Sequence, residues 1–295
     1  MSMRIKTNVS SLTAQRHLGN NQSRMEQSIE RLSSGNRINK SADDAAGLAI
    51  SDNMRSKIRG LNVAKRNAND GVSMIQIAEG SMNEMTNILV RLRELTVQSA
   101  TDTVGSKERS YLNKEYVQLV DEIDRIANTT EFNSTLLFSK DTDSTYVLQV
   151  GVNNPMSNVT DPENSDTLTI DLAGLQTFNS ADLDLSGSTI GPETVDDDGP
   201  DTADIAANID LIDSALTQVA TERATLGSIQ SRLGSALNNL AISVESTTTA
   251  KSRIKDTDFA AEATNLSQQR ILSQASTSVL AQSNVVPELA LSLLR

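Results

Sequence analysis

His17 is the only histidine in the chain. A triad hydrolase or a helical zinc protease needs a histidine with a partner at a set spacing. His17 has none, so it reads as a surface or interfacial side chain. The run Asp196-Asp197-Asp198-Gly199-Pro200-Asp201 invites a calcium reading. An EF-hand loop alternates its ligands and closes on a distal glutamate. This run does neither and reads as a solvated acidic loop. The pair Asp43-Asp44 stands where a helix begins, and carboxylates there complement the helix dipole. Cysteine is absent, which removes disulfides, thiolate nucleophiles and thiolate metal sites. Asn-X-Ser/Thr sequons at Asn8, Asn21, Asn128, Asn133, Asn158 and Asn265 are what chance produces in a chain rich in Ser, Thr and Asn. No GxSxG, HExxH or glycine-rich phosphate loop occurs. These residues build no catalytic constellation, and they call for no cofactor and no metal. The expectation is a protein that is not an enzyme.

The elements around them are more telling. Aromatics are 2% of the 295 residues and tryptophan is absent, so the side chains that dominate compact cores are scarce. Six of the seven aromatics fall between 111 and 178, which places the densest core there. The formal charge of −12 is uneven: residues 1–60 carry +5 and residues 131–204 carry −14. That sign, without a basic patch interleaved with aromatics, argues against nucleic acid as a partner. No run approaches the length of a membrane span, and the first residues lack the apolar core of a secretory signal peptide.

Four of the five prolines lie between 155 and 200, leaving both arms free to be helical. The first helix is expected over 9–34 with a stripe at Leu12, Leu18, Met25, Ile29 and Leu32. Gly35 is its C-cap. Either Ser41 or Asp43 caps the next helix. That helix carries an alternating four-three pattern at Met54, Ile58, Leu61, Lys65, Ala68, Val72, Ile75, Glu79, Met82, Thr86 and Leu89. A further helix over 107–128 bears Tyr111, Leu112, Tyr116, Leu119, Val120, Ile123 and Ile126. The C-terminal arm repeats the pattern at Ile205, Ile209, Ile212, Leu216, Val219, Arg223, Leu226, Gln230, Leu233, Leu237, Leu240 and Val244. Heptads sustained this far predict coiled-coil packing, with 54–89 and 205–244 as mutual partners. A last helix over 256–284 carries Phe259, Ala263, Leu266, Ile271, Leu272, Ala275, Val279 and Leu280. In the middle, 146–152, 167–172 and the pair Leu183 and Leu185 read as short strands, with Asn153-Asn154-Pro155 a turn.

The fold class is therefore mainly α: a long antiparallel coiled-coil-like bundle of the N- and C-terminal arms, with β-hairpins at about 140–200. Both chain ends are apolar and helical, whereas termini are normally frayed and solvated. The outer parts, 1–34 and 256–295, lack an intramolecular cover long enough for their stripes, which points to self-assembly. The expected assembly residues are Leu12, Leu18, Met25, Ile29, Leu32, Phe259, Leu266, Leu272, Val279, Leu291, Leu293 and Leu294.

Several blocks resemble one known family. They include Ile5-Lys6-Thr7-Asn8-Val9-Ser10-Ser11-Leu12, Leu32-Ser33-Ser34-Gly35-Asn36-Arg37-Ile38-Asn39 and Ala42-Asp43-Asp44-Ala45-Ala46-Gly47-Leu48-Ala49-Ile50. Arg66-Asn67-Ala68-Asn69-Asp70-Gly71, Arg93-Glu94-Leu95-Thr96-Val97-Gln98-Ser99-Ala100, Ser252-Arg253-Ile254-Lys255-Asp256-Thr257-Asp258-Phe259-Ala260 and Leu291-Ser292-Leu293-Leu294-Arg295 follow in the same order. The chain is similar to the bacterial flagellins, in a short form without large outer domains. The resemblance implies a subunit of the extracellular flagellar filament, used for swimming and exported without a cleaved signal peptide. It implies that 1–45 with 255–295 form an inner tube and 46–254 a rod-like shell domain. It implies partners too: further copies of the chain, an export chaperone at the C-terminal arm, and hook–filament junction and filament cap proteins. A host toll-like receptor would be met at Arg91, Leu95 and Glu115. The alternative is a hook–filament junction protein, which would match less completely through 42–50 and 252–260. A protease-bearing relative is excluded by the short, histidine-free 141–200 segment, and a cytosolic coiled-coil scaffold would not need apolar ends.

Overall fold

The computed structural model describes residues 7–138, 145–152, 166–172, 174, 178–192 and 202–292. Among them are α1 (Val9–Ser34), α2 (Ala45–Ser99), α3 (Ser106–Thr129), the strands β1 (Glu131–Phe132), β2 (Thr135–Leu136), β3 (Thr145–Gln149) and β4 (Thr167–Asp171), α4 (Thr202–Lys255) and α5 (Phe259–Ser292). The chain divides into two compact units, Met1–Ile58 with Glu245–Arg295, and Arg59–Val244.

In the Arg59–Val244 unit, α2 and α4 bury regular seams. In α2 the seam runs Leu61, Ala64, Ala68, Gly71, Ile75, Ala78, Met82, Met85, Leu89, Leu92, Thr96 and Ser99. In α4 it runs Ile205, Asn208, Ile212, Ala215, Val219, Leu226, Ile229, Leu233 and Leu240, with Glu222 and Ala236 half-buried in step. The sequence expectation alternated four then three; the structure alternates three then four. Half of the seam is as expected, but Lys65, Val72, Glu79 and Thr86 give way to Ala64, Gly71, Ala78 and Met85. On α4, Ile209, Leu216, Arg223, Gln230 and Leu237 flank the seam rather than form it. The residues in register are mostly small or polar, so hydrophobicity alone does not distinguish the two phases. The large seam residues each contribute about 1.5–3 kcal/mol on burial.

Helix α3 closes the bundle through Ser110, Asn113, Tyr116, Val120, Ile123 and Ala127. Tyr111 was expected on its apolar stripe but is 55% exposed. It falls one position from the buried Ser110, where a 100° turn carries it to solvent. The aromatic concentration does mark the core: Phe138 meets Phe178 edge-to-face at 6.4 Å and 82°.

The β1–β2 hairpin pairs Phe132 with Thr135 across Asn133 and Ser134, whose φ values are 50° and 63°. Positive φ at both turn positions defines a type I′ turn, matched to strand twist. This hairpin lies upstream of the expected 140–200 region, because two-residue strands leave almost no periodicity to read. The β3–β4 hairpin pairs Thr145 with Asp171 and Gln149 with Thr167. Leu168 and Ile170 alternate inward along β4. The expected strand at Leu183 and Leu185 is instead a succession of turns with both leucines buried. The Asn153-Asn154-Pro155 turn and the Asp196–Asp201 loop lie outside the described residues.

Those turns are held by side chains rather than by a ladder. The Asp124 carboxylate accepts from Ser180 N at 2.6 Å and Ser180 Oγ at 2.7 Å. Asn113 Oδ1 accepts from Ile190 N at 3.1 Å, and Asn208 Nδ2 donates to the Thr189 carbonyl at 2.9 Å. Ser99 Oγ donates to the Ile190 carbonyl. Asn113, Ser99 and Asn208 are buried, so the seam's polar residues satisfy the backbone of segment 178–192. Tyr116 is 2.8 Å from Ser188 Oγ, and burial pushes its phenol pKa up.

Candidate assembly interface

In the unit of the two chain ends, α1 packs along α5. The side chains that α1 turns inward are Ser11, Ala14, Leu18, Asn21, Met25, Ser28 and Leu32, again alternating three and four. On α5 the corresponding series is Glu262, Leu266, Gln269, Ser273, Ser276, Leu280 and Ser283. Polar side chains cross the seam: Asn8 Nδ2 donates to the Ser283 carbonyl at 2.8 Å, Ser11 Oγ to Asn284 Oδ1 at 2.9 Å, and Asn21 Nδ2 to Ser276 Oγ at 3.0 Å. Arg31 approaches Glu262 at 4.0 Å. The two chain ends thus pair along this seam for much of their length, a longer intramolecular partner than expected.

Cover is nonetheless incomplete. Leu18, Met25, Leu32 and Leu266 are half-buried in the seam, while other expected assembly residues turn outward. Phe259 is 66% exposed, Leu12 57% and Val279 56%, with Ile29 and Leu272 also open to solvent. The sequence list omitted Val9, Ile271 and Val285, which share this exposure. Ile271 could have been found from its place four residues before Ala275 on the helix. Leu291 lies in α5, and Leu293 and Leu294 lie outside the described residues. The seam therefore mixes Ser, Asn and Gln with Leu18, Met25, Leu32, Leu266 and Leu280 while further large apolar groups face out, unlike an ordinary amphipathic hairpin with one apolar face. Arg31 Nε and Gln269 Oε1 are buried without a partner, a further cost to an isolated pair.

Two short connections join these helices. Gly35 ends α1 in the left-handed region, φ 71°, with its N–H on the Arg31 carbonyl at 2.9 Å. This is the expected C-cap. The α2 cap was expected at Ser41 or Asp43; the structure assigns it to Asp44, whose Oδ1 accepts from Gly47 N at 2.9 Å. Asp43 folds the loop instead, accepting from Asn39 N at 3.1 Å and Lys40 N at 3.0 Å, and those bonds hold its pKa below the ordinary value. Its other oxygen takes Gln27 Nε2, and Lys40 reaches Glu30 at 2.8 Å. Before α5, Asp258 Oδ1 accepts from Ala260 N and Ala261 N, an N-cap. The two connections pair with each other: Asn36 bridges Asp256, Arg37 N donates to the Lys255 carbonyl at 2.7 Å, and Thr257 N to the Gly35 carbonyl at 3.0 Å. Nothing in the spacing announces this pairing.

The other expected site lies in the Arg59–Val244 unit. Arg91 on α2 meets Glu115 on α3 at 2.8 Å and Glu94 at 3.0 Å. Those carboxylates, Glu115 first, raise the guanidinium's pKa. All three side chains are well exposed. Leu95 is 0% exposed, so the structure brings Arg91 and Glu115 together at the surface and places Leu95 in the core beneath. His17 is exposed. Among the described residues, no group of three His, Cys, Asp or Glu side chains is placed to hold a metal ion, and no helix is long and apolar enough to cross a membrane.

Long helices with regular seams and apolar outer faces define a structural subunit made to pack against further helices. Comparison with known proteins names the kind. Residues 5–143 match the bacterial flagellin N-terminal helical region and residues 209–294 the bacterial flagellin C-terminal helical region. A flagellin of Halalkalibacterium halodurans is 41% identical over 293 residues, spanning 99% of this chain and 100% of that one. A flagellin of Bacillus subtilis is 41% identical over 317 residues, with 99% and 100% covered. The crystal structure of Bacillus cereus flagellin aligns with 59% of this chain and 88% of that one, at 29% identity and a TM-score of 0.46. The chain belongs to the bacterial flagellin family. It is a non-catalytic structural subunit that polymerises into the extracellular filament of the flagellum. Matches across the full length of flagellins disfavour the junction-protein alternative.

Proposed function

We propose that the paired ends, 1–45 and 255–295, form the inner tube of the filament, and that 46–254 forms the surrounding shell. The outward apolar residues Leu12, Ile29, Phe259, Leu272 and Val279 are then the contacts between copies, joined by Ile271. Leu18, Met25, Leu32 and Leu266 support them from within the α1–α5 seam, and on the family resemblance Leu291, Leu293 and Leu294 belong to the same set of assembly residues. One observation carries this reading: although the two ends pair along a seam that mixes Ser, Asn and Gln with Leu and Met, Leu12, Ile29, Phe259, Ile271, Leu272 and Val279 all face away from it into solvent. Burying an exposed phenylalanine or isoleucine against a neighbour contributes about 1.5–3 kcal/mol each.

Before assembly those same faces need a cover. An export chaperone on the C-terminal arm supplies one, and export proceeds without a cleaved signal peptide. Junction and cap proteins meet the ends of the polymer. A toll-like receptor contact at Arg91 and Glu115 rests on the family resemblance and on the exposure of that ion pair, with Leu95 acting through the packing below it.

The test is the double variant Leu12→Asp/Ile271→Asp in the full chain. Its urea unfolding should match the parent, because neither residue belongs to the Arg59–Val244 core, while seeded polymerisation should fail. Filaments of normal length and yield would overturn the proposal.

A further inference from the structure

We propose that Arg37 is a positioning residue that sets the register of α1 against α5. The inference stands apart from the reading of the outer faces, since it concerns only the seam within one chain. Its starting point is that the seam specifies its own alignment weakly. On α1 the seam repeats Leu18, Met25 and Leu32 at one heptad position and Ala14, Asn21 and Ser28 at the other, and on α5 it repeats Gln269, Ser276 and Ser283 at one and Leu266, Ser273 and Leu280 at the other. Residues of similar size and polarity recurring at heptad steps present nearly the same surface after a slip of seven residues, so knobs and holes discriminate little.

Arg37 stands where such a slip is blocked. Its Nη2 donates to the Ile254 carbonyl at 2.7 Å and the Arg253 carbonyl at 3.3 Å, residues 216 or more positions away. Its backbone N–H takes the next carbonyl, Lys255, at 2.7 Å. One residue thereby satisfies three successive carbonyls at the C-terminal end of α4. Those groups have no helical partner of their own, and the helix dipole there favours a cation. The bridge between Asn36 and Asp256 and the bond from Thr257 N to the Gly35 carbonyl complete an antiparallel clasp. On either side of the clasp, Gly35 ends α1 and Asp258 starts α5. The alignment made there continues into the helices through Arg31 with Glu262 and Asn21 with Ser276. Moving α5 by one heptad would tear all of the clasp bonds, because they reach backbone atoms that have no equivalent seven residues away.

The absence of cysteine makes the test clean. Three pairs are introduced into the full chain: Asn21→Cys with Ser276→Cys in register, and Asn21→Cys with Gln269→Cys or Ser283→Cys one heptad to either side. Filaments and the soluble chain are oxidised mildly, and the intramolecular disulfide is read as a faster band on a non-reducing gel. With Arg37 present, only the 21–276 pair should close. Arg37→Ala should raise the 21–269 or 21–283 bands several-fold at the expense of 21–276, with helix content by circular dichroism unchanged. Arg37→Lys, which keeps the charge but offers a single donor group, should fall between. An unchanged band pattern in Arg37→Ala would show that the helices set their own register and would overturn the proposal. Loss of all three bands would overturn it too, by showing that Arg37 holds the helices together rather than aligning them. Because the soluble chain is read alongside, a variant that does not polymerise is still decided.

Discussion

Arg93 on α2 grips Asp213 on α4 through two near-parallel hydrogen bonds, Nε to Oδ1 at 2.7 Å and Nη2 to Oδ2 at 3.3 Å. The fork matches the carboxylate as lysine could not, raising the Arg93 pKa and lowering that of Asp213. Both side chains are nearly half exposed, so the pair contributes modestly. Arg93→Ala should lower the thermal midpoint only slightly, and the difference should shrink at high salt. Because the folded pKa of Asp213 is depressed, its contribution is present above the unfolded carboxylate value and disappears as pH falls through the folded one. Thermal midpoints of parent and variant should therefore converge in strong acid as well as in salt.

Substitutions in the bundle should separate from substitutions on the arms. Leu89 is completely buried in the Arg59–Val244 unit, and Leu89→Ala should cost about 2–5 kcal/mol in urea unfolding. Val279→Ala on the exposed face of α5 should leave that transition unmoved while reducing polymer yield. Equal effects of the two on the soluble chain would contradict the surface assignment.

Glycines make opposite predictions according to their surroundings. A Cβ on Gly80 in α2 would meet nothing within 4 Å. Gly80→Ala should therefore raise stability by about 0.5–1 kcal/mol, through the entropy that glycine loses in a helix. A Cβ on Gly47 would stand 2.4 Å from Asp44 Oδ2 and 2.8 Å from Ile38 Cδ1. Gly47→Ala should break the α2 cap and lower helix content, which circular dichroism of the two variants would compare directly.

Glu222 offers a pH test of opposite sign to Asp213. It occupies a seam step of α4, where desolvation first and the Asp171 charge second raise its pKa. A raised folded pKa means stability that is fully present below the unfolded carboxylate value and is lost as pH rises through the folded one. Glu222→Gln should therefore stabilise the bundle at neutral pH and flatten its stability between that pH and mild acid. A variant less stable than the parent at pH 7 would refute the sign.

The Asp44 cap shows how near a local reading comes. Three candidate oxygens, Ser41, Asp43 and Asp44, stand within four residues, and any could cap a helix by type. Which one does so follows from the loop's fold, in which Asp43 is already engaged with Asn39 and Lys40.

The long helices and their approximate extents were legible because they rest on local rules, whereas the short β1–β2 hairpin and the turns at 183–185 were not. Unbroken helical periodicity, the missing prolines, Gly35 after Ser34 and the isolated apolar ends specify long helices with exposed business at both termini. The absence of paired catalytic groups was legible for the same reason, since chemistry needs residue types that a chain either has or lacks. Seam phase was decided only by tertiary packing. Ala64, Gly71, Asn208 and Ala215 carry too little hydrophobicity to announce themselves, yet they are buried in register, and at Gly71 the missing side chain leaves room for Leu148 and Leu233. The outward turn of Ile271 and Phe259, the burial of Leu95 and the clasp of Arg37 on Ile254 were likewise decided in three dimensions. Each depends on which face of a helix another element covers, or on a hydrogen bond across two hundred residues of sequence, and a one-dimensional pattern holds neither.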